Sequence, residues 1–467
     1  MGRASVRLKQ FRVLPKRRGS LPCLFSPVTQ ATKRTRRAAL HTLGCRLNQS
    51  ETLIIRQRLV AEGYHIVPFD QPADLGIINT CTVTNLADAK SRRTIRAFTR
   101  RNPNAFTAVV GCYSESGAAS IASIPGIDLV LGNQDKLAVL DYVAEEKNPE
   151  PVVIRERINR EDFSIRLIGD LPYDKRVNLK IQDGCDFMCG FCIIPFVRGR
   201  ARARDWTNLL DEARSLAARG VRELVLTGVN LGTYESESHD IVDLVDALDR
   251  IPGIDRIRIS SIEPTTVADG LLDRMAAEDH RLMPFLHLPL QSGVDRILQE
   301  MRRRYTVSEY ASFARQAQER VPGLYLGTDI MVGHPGETDE DFIATCHFFR
   351  ELPFAFAHVF SYSERDGTPA ARRLDQVQIP IRARRSAILR SLSALRRLDF
   401  YRQSLGQTVP VLFEDPKPDC WPGYTANYVR VVLPRDASDG SSLANQIRQV
   451  RLIDTASDYV RGELADL

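Results

Sequence analysis

The sequence predicts an α/β protein in three parts: an N-terminal parallel α/β domain, a central partial (β/α)6 barrel and a small all-β C-terminal module of the OB-like kind. Three observations carry this. Short apolar runs alternate with amphipathic stretches from residue 38 onward, the signature of strand–helix units and a parallel sheet. That alternation stops in a charged, Pro-punctuated segment and then restarts. Beyond residue 403 only β-rich runs remain, separated by Pro, Gly, Ser and Asp clusters. A chain of 467 residues is also too long for one ordinary core.

In order, residues 38–43 predict a strand that ends at Gly44-Cys45, followed by a helix over 48–61 with Gly63 as its stop. A strand over 75–80 ends at Cys81, a helix spans 86–101, and a strand over 105–110 ends at Gly111-Cys112. Together these give a domain over 38–149. Residues 150–172, with Pro151 and Pro172, are expected to form a linker. The second series, 173–403, has strands at 177–182, 223–227, 256–260, 285–290, 325–331 and 355–360, with helices such as 206–218 and 307–320. An Arg-rich helix over 381–403 closes it. The module 404–467 carries strands at 409–413, 428–433 and 449–453 and is expected to be a five-stranded barrel.

The net charge of +6 is unevenly placed. Residues 1–40 hold eleven Lys and Arg and no acid, leaving 53 basic against 58 acidic residues elsewhere. Any polyanion site must therefore come from local patches. Residues 1–37 lack a periodic apolar face and are expected to be a disordered basic extension, although an Arg-rich, acid-free start also describes a transit peptide. No run of 18 apolar residues offers a membrane span. Nine cysteines without a secretory signal point to a reducing compartment, taken as cytoplasmic, and to metal or redox use. Cys23 receives no role.

Ligand sites in open parallel sheets lie beyond the carboxyl ends of the strands. Cys45, Cys81 and Cys112 each fall at such an end, 36 and 31 residues apart, so three thiols from three strands can meet at one sheet edge. The alternative is three buried cysteines acting as small hydrophobes. Cys185, Cys189 and Cys192 follow the first strand of the second series with C-x3-C-x2-C spacing. A structural zinc site wants four ligands, and no fourth Cys or His lies nearby in sequence. Three thiolates on a 4Fe–4S cluster leave one iron free to chelate the amino and carboxylate groups of S-adenosylmethionine (SAM).

That loop, at the mouth of a βα barrel, resembles the radical SAM superfamily. The segments His41-Thr42-Leu43-Gly44-Cys45-Arg46-Leu47-Asn48, Asn79-Thr80-Cys81-Thr82-Val83-Thr84 and Val110-Gly111-Cys112-Tyr113 narrow the resemblance to the methylthiotransferases. So do Ile181–Cys185, Cys192–Pro195, Pro289-Leu290-Gln291-Ser292-Gly293 and Val332–Thr338, while Gly423–Tyr428 is similar to the family's TRAM module. The Leu-Gly-Cys-Arg-Leu-Asn and Cys-Thr-Val-Thr-Asn forms resemble the MtaB branch. The resemblance implies a tRNA substrate, methylthiolated at C2 of N6-threonylcarbamoyladenosine beside the anticodon (position 37). It implies two 4Fe–4S clusters, one on each cysteine triad: that on Cys185, Cys189 and Cys192 splits SAM to a radical, and that on Cys45, Cys81 and Cys112 bears the sulfur. It further implies SAM, a low-potential electron donor and a sulfur source. His334 stands where the family has an aromatic residue, so the loop packing there is expected to shift.

For SAM contacts, Thr227 and Gly228 end the second barrel strand, Glu263 follows the third and Gln291 ends the fourth, while Arg303 resembles a family arginine. For RNA, Arg198, Arg200, Arg202 and Arg204 alternate, so an extended segment would point all four one way; Arg92, Arg96 and Arg100 share a helix face. Residues 403–467 carry six basic against nine acidic residues, which does not suit a phosphate clamp. Contact there is expected through Tyr424, Tyr428 and Arg430, or the module helps pack the barrel. Two rivals stand beside this reading: the same chemistry on an aspartate of a ribosomal protein, and a non-catalytic RNA-binding module stabilised by zinc.

Overall fold

The computed structural model describes residues 35–166, 176–437 and 440–465. The extension expected over 1–37 lies outside these apart from its last three residues, and so does Cys23. The N-terminal domain is a six-stranded sheet in the order His65–Val67, Arg37–Thr42, Leu75–Thr80, Phe106–Gly111, Leu129–Leu131, Val152–Ile154. Every pairing is parallel. Leu75–Thr80 and Phe106–Gly111 are buried at every position, as central strands covered on both faces must be. Helices Arg46–Ala61 and Asn85–Arg101 connect the strands. Three of the six strands were not expected. One of them, Val152–Ile154, falls inside the segment expected to be a linker; its three residues pair with Leu129–Leu131, so the sheet runs further than the prolines suggested.

The barrel strands match the expected positions closely. Arg176–Lys180, Glu223–Thr227 and Arg256–Ile259 form one parallel group, with Glu223–Thr227 in the middle. Phe285–His287, Tyr325–Val332 and Phe356–Ser361 form another. A bridge between Ile257 and Leu282, just ahead of Phe285–His287, and a bond from the Ile262 amide to the His287 carbonyl link the two groups, so six strands make a partial barrel. Helices of the second series start where the sequence caps them. The side chains of Asp240, Thr306 and Thr338 each accept from the N3 amide of their helix while the N3 carboxylate accepts from the cap amide, making three capping boxes. Aliphatic side chains from the strands and helices fill one continuous core around the barrel.

The C-terminal module is a closed five-stranded barrel of Thr408–Phe413, Cys420–Thr425, Arg430–Pro434, Ile447–Thr455 and Val460–Leu464. Closure removes the open edges that a small sheet would otherwise expose. It docks on the N-terminal end of the central barrel: Arg256 donates to the Tyr424 and Pro410 carbonyls at 2.7 and 2.8 Å, and Arg258 donates to the Ala426 carbonyl at 2.8 Å. Among the described residues no helix is long and apolar enough to cross a membrane.

Candidate active site

Cys185, Cys189 and Cys192 lie in the loop that leaves the first barrel strand. Gly184 (φ +73°) opens it, and a Cβ there would fall 1.9 Å from the Arg200 carbonyl oxygen, so only glycine lets the returning chain pass. The thiols are oriented by N–H donors. The Cys192 Sγ lies 3.4 Å from the Ile194 amide, and the Cys189 Sγ 3.4 Å from an Arg303 guanidinium nitrogen. Burial, and then the neighbouring thiols, push Cys192 up to about 12, and burial pushes Cys185 up to about 11. Three thiols that oppose one another's ionisation can share a site as thiolates only if a cationic group sits among them, which is what an iron–sulfur cluster provides. Among the described residues no three His, Cys, Asp or Glu side chains converge tightly enough to chelate one ion. A zinc site needs that convergence, whereas a cubane takes each thiolate on a different iron.

The expected SAM residues gather around this loop unequally. Arg303 bonds Glu263 (3.2 Å to Oε1), the Pro289 carbonyl (3.1 Å) and the Tyr305 hydroxyl (3.0 Å), so Arg303 lies directly on Cys189 and holds Glu263 beside it. Thr227 shares the inward strand face of Glu223, and its hydroxyl donates to the Val225 carbonyl. At Gly228 a Cβ would crowd Gln182 Oε1 at 2.8 Å, so the glycine serves a close packing contact. Gln291 adopts a left-handed φ of +71°, rare for a residue with a side chain, at the end of the fourth strand. Two buried atoms at these strand ends, Asn230 Nδ2 and Ser292 Oγ, have no partner among the described residues, which suits a polar ligand. Asn230 was not expected; an Asn three residues past a strand end carries no distinctive sequence signal. His334 is buried edge-on between Phe191 and Tyr362, and burial lowers it to about 4. It packs as a neutral ring, so the loop keeps an aromatic contact after all.

The other triad forms as three neighbouring strand ends bring Cys45, Cys81 and Cys112 together. Gly44 (φ +99°) makes the approach possible, since a Cβ there would lie 2.7 Å from the Cys81 Cβ and 2.9 Å from its Sγ. Burial, then Cys112 and Cys45, push the Cys81 thiol up to about 12. Beneath the triad lies a fully buried ion cluster that joins the two domains. Arg198 donates to Glu51 (3.1 and 3.3 Å), Asp183 (2.9 Å) and Asn48 (2.6 Å). Lys180 reaches Glu51 at 2.8 Å and Asp183 at 2.7 Å, and Lys136 reaches Glu51 at 2.5 Å. Lys136 also holds the Asn133 side-chain oxygen at 2.8 Å, and the Asn133 amide nitrogen lies 3.7 Å from the Cys112 Sγ. Burial alone would raise the Glu51 carboxyl, but Arg198, Lys136 and Lys180 hold it below its ordinary value. Three cations face two carboxylates, and the excess positive charge adjoins the thiols.

This cluster corrects the expected RNA surface. Arg198 and Arg204 are 1% and 0% exposed and cannot meet a phosphate backbone. The alternation failed because residues Ile194–Arg198 form a helical turn, and only Arg202–Ala203 is extended. Arg204 pairs with Glu212 and bonds Asn208 at 2.8 Å. Arg202 holds Asn159 at 2.8 Å with little exposure, and Arg200 alone faces solvent, beside Asp186. Arg96 and Arg100 are exposed on one helix face, while Arg92 is bound to the Tyr113 hydroxyl. Tyr424 and Tyr428 stack on each other and on Arg176, against the barrel, so they pack the module rather than await RNA. Arg430 pairs with Asp458 at 3.1 Å.

Residues 179–349 match the radical SAM superfamily, and residues 37–132 match uncharacterized protein family UPF0004. The chain is 36% identical to the threonylcarbamoyladenosine tRNA methylthiotransferase MtaB of Bacillus subtilis (strain 168), over 91% of this chain and 95% of that one. It is 33% identical to the tRNA-2-methylthio-N(6)-dimethylallyladenosine synthase of Geobacillus thermodenitrificans (strain NG80-2), over 93% and 84%. Among solved structures, the radical S-adenosylmethionine methyltransferase TsrM of Kitasatospora setae shares the fold with TM-score 0.51 at 17% identity, covering 72% of this chain and 74% of that one. A radical SAM domain implies SAM and one 4Fe–4S cluster. The chain belongs to the methylthiotransferase family of radical SAM enzymes.

Proposed function

We propose that this chain adds a methylthio group to C2 of N6-threonylcarbamoyladenosine at position 37 of tRNA, with Cys185, Cys189 and Cys192 holding the SAM-binding cluster and Cys45, Cys81 and Cys112 a second one. The observation that carries this reading is the pair of thiol triads at strand ends, tied together by the ion cluster around Arg198. Adenine C2–H is too weakly acidic and too weakly electrophilic for acid–base or nucleophilic substitution; the bound clusters and SAM supply a carbon radical and a sulfur donor.

The protein's own side chains bind and orient. Arg303 and Glu263, fixed against Cys189, are suited to the charged methionine end of SAM. Asn230 and Ser292 offer unused polar atoms on neighbouring strand ends. The ion cluster fixes the Cys45 loop relative to the Cys185 loop, since Glu51 sits in the helix that Cys45 begins and Asp183 lies two residues before Cys185. The reading divides the chain after Ile154 and after Gln403.

The test is mass spectrometry of tRNA nucleosides from cells lacking the gene and from the same cells complemented. Loss and recovery of the 2-methylthio derivative of N6-threonylcarbamoyladenosine is expected. Unchanged tRNA with a lost methylthio mark on a ribosomal-protein aspartate would overturn the tRNA assignment.

A further inference from the structure

Four arginines reach the interior of the partial barrel and have carboxylate partners: Arg176 with Glu414, Arg256 and Arg258 with Glu223, and Arg303 with Glu263. A fifth, Arg46, comes from the N-terminal domain and has none among the described residues; its partner is the Tyr428 hydroxyl, at 2.9 Å. Tyr428 brings it inside. That ring lies 4.5 Å from the Arg258 guanidinium and 5.0 Å from Phe285, both interior side chains.

Two exposed side chains lie beside them. Along Phe356–Ser361, Ala357 and Val359 are buried toward the outer helix, where the Ala357 amide bonds Ser393, so Phe356, His358 and Phe360 face inward. His358 and Phe360 are nonetheless exposed. His287 faces the same space, 2.9 Å from Asp329 and with its ring 5.3 Å from His358. An arginine without a carboxylate among the described residues, near inward-facing side chains that remain exposed and next in sequence to Cys45, is placed to receive an anion.

We propose that Arg46 receives the carboxylate of the N6-threonylcarbamoyl group, and is thereby the residue that distinguishes this base from one with an uncharged N6 substituent. The inference rests on the function proposed above. The relative named for dimethylallyladenosine is 33% identical over 93% of this chain, so a shared scaffold accommodates two substrates that differ by one negative charge. A guanidinium matches a carboxylate through two parallel N–H bonds, and Tyr428 occupies only one donor of Arg46. The carboxylate hangs from the same purine whose C2 must meet the sulfur. Its receptor must then lie within reach of the sulfur-bearing cysteines, and Arg46 is the first residue of the helix that Cys45 caps.

The test measures dissociation constants of the anaerobically reconstituted full chain for two tRNAs, identical except that adenosine 37 is unmodified or threonylcarbamoylated. Wild type is expected to favour the modified tRNA by about ten- to a hundredfold, the effect of a hydrogen-bonded charge. Arg46→Gln should erase that preference while keeping the affinity for unmodified tRNA, and Tyr428→Phe should reduce it slightly. Arg46→Lys, which keeps the charge without the fork, should retain part, and it replaces the Gln variant if iron content shows poorer loading. An unchanged preference in Arg46→Gln overturns the assignment, as does an equal loss for both tRNAs, which would mark Arg46 as structural or phosphate-binding. Product formation by wild type is followed in parallel. A wild type that methylthiolates the threonylcarbamoyl base while Arg46→Gln keeps its preference sinks the Arg46 inference alone; a wild type that makes no such product sinks the functional reading as well.

Discussion

The two cysteine triads use the same element, a thiol just past a parallel strand, but assemble it differently. One fits into the eight residues from Cys185 to Cys192, behind a single strand. The other draws on three strands and 68 residues of chain, from Cys45 to Cys112. Their electrostatic settings differ too. Beside Cys189 stands a balanced pair, Arg303 with Glu263, whereas the N-terminal triad rests on three buried cations and two carboxylates. A loop motif carries its own geometry and can be tuned by one neighbouring pair. A triad built across a sheet depends on the packing that brings the strands and their ions together.

The sharpest way to break this comparison is to remove each triad in turn. Cys185→Ala, Cys189→Ala and Cys192→Ala together should abolish 5′-deoxyadenosine formation. The corresponding Cys45, Cys81 and Cys112 variant should still form it under reduction, yet leave tRNA without methylthio groups, with iron falling from about eight to about four per chain. Methylthio product from the N-terminal variant would collapse the division of roles.

Glu51→Gln tests the dependence on packing. It leaves Arg198, Lys136 and Lys180 buried with half their counter-charge, a loss of about 3–5 kcal/mol in unfolding free energy by urea titration. The pH dependence has a fixed sign. The folded carboxyl ionises below its ordinary value of 4.5, so its contribution is complete above that pH and disappears as pH falls toward the folded value. Wild type should lose stability across that acid range, and Glu51→Gln should lose less. Equal acid slopes would remove Glu51 from the account.

Arg303→Lys probes the loop triad's single pair. The charge stays but the fork to Glu263 and the Pro289 carbonyl does not, so the KM for SAM should rise about tenfold. Cluster loading at the N-terminal triad should be unaffected. The smallest effect is on RNA. Arg200→Gln should lower the salt slope of tRNA binding by about one, while Arg204→Gln should change stability and leave that slope alone.

Much of the fold was legible because its signals are local. The strands at residues 223–227 and the helices at 206–218 and 307–320 fall where apolar periodicity puts them. The strands missed in the N-terminal sheet, His65–Val67, Leu129–Leu131 and Val152–Ile154, are three residues long and give periodicity nothing to act on. Two strands of the C-terminal module were missed for a related reason: Cys420–Thr425 contains Pro422 and Gly423, and Val460–Leu464 contains Gly462.

The sequence by itself determined the C-x3-C-x2-C loop and the placement of one cysteine at each of three strand ends, because each is set by spacing over a few residues. The tertiary structure alone decided which arginines are surface and which are interior. Arg198 and Arg204 read as half of a basic face, yet each is buried and paired with acids from elsewhere in the chain, Glu51 lying 147 residues from Arg198. A side chain's charge is written in the sequence, but whether it meets water or a buried carboxylate depends on which faces pack together, and that is where Arg46 also acquired its phenol.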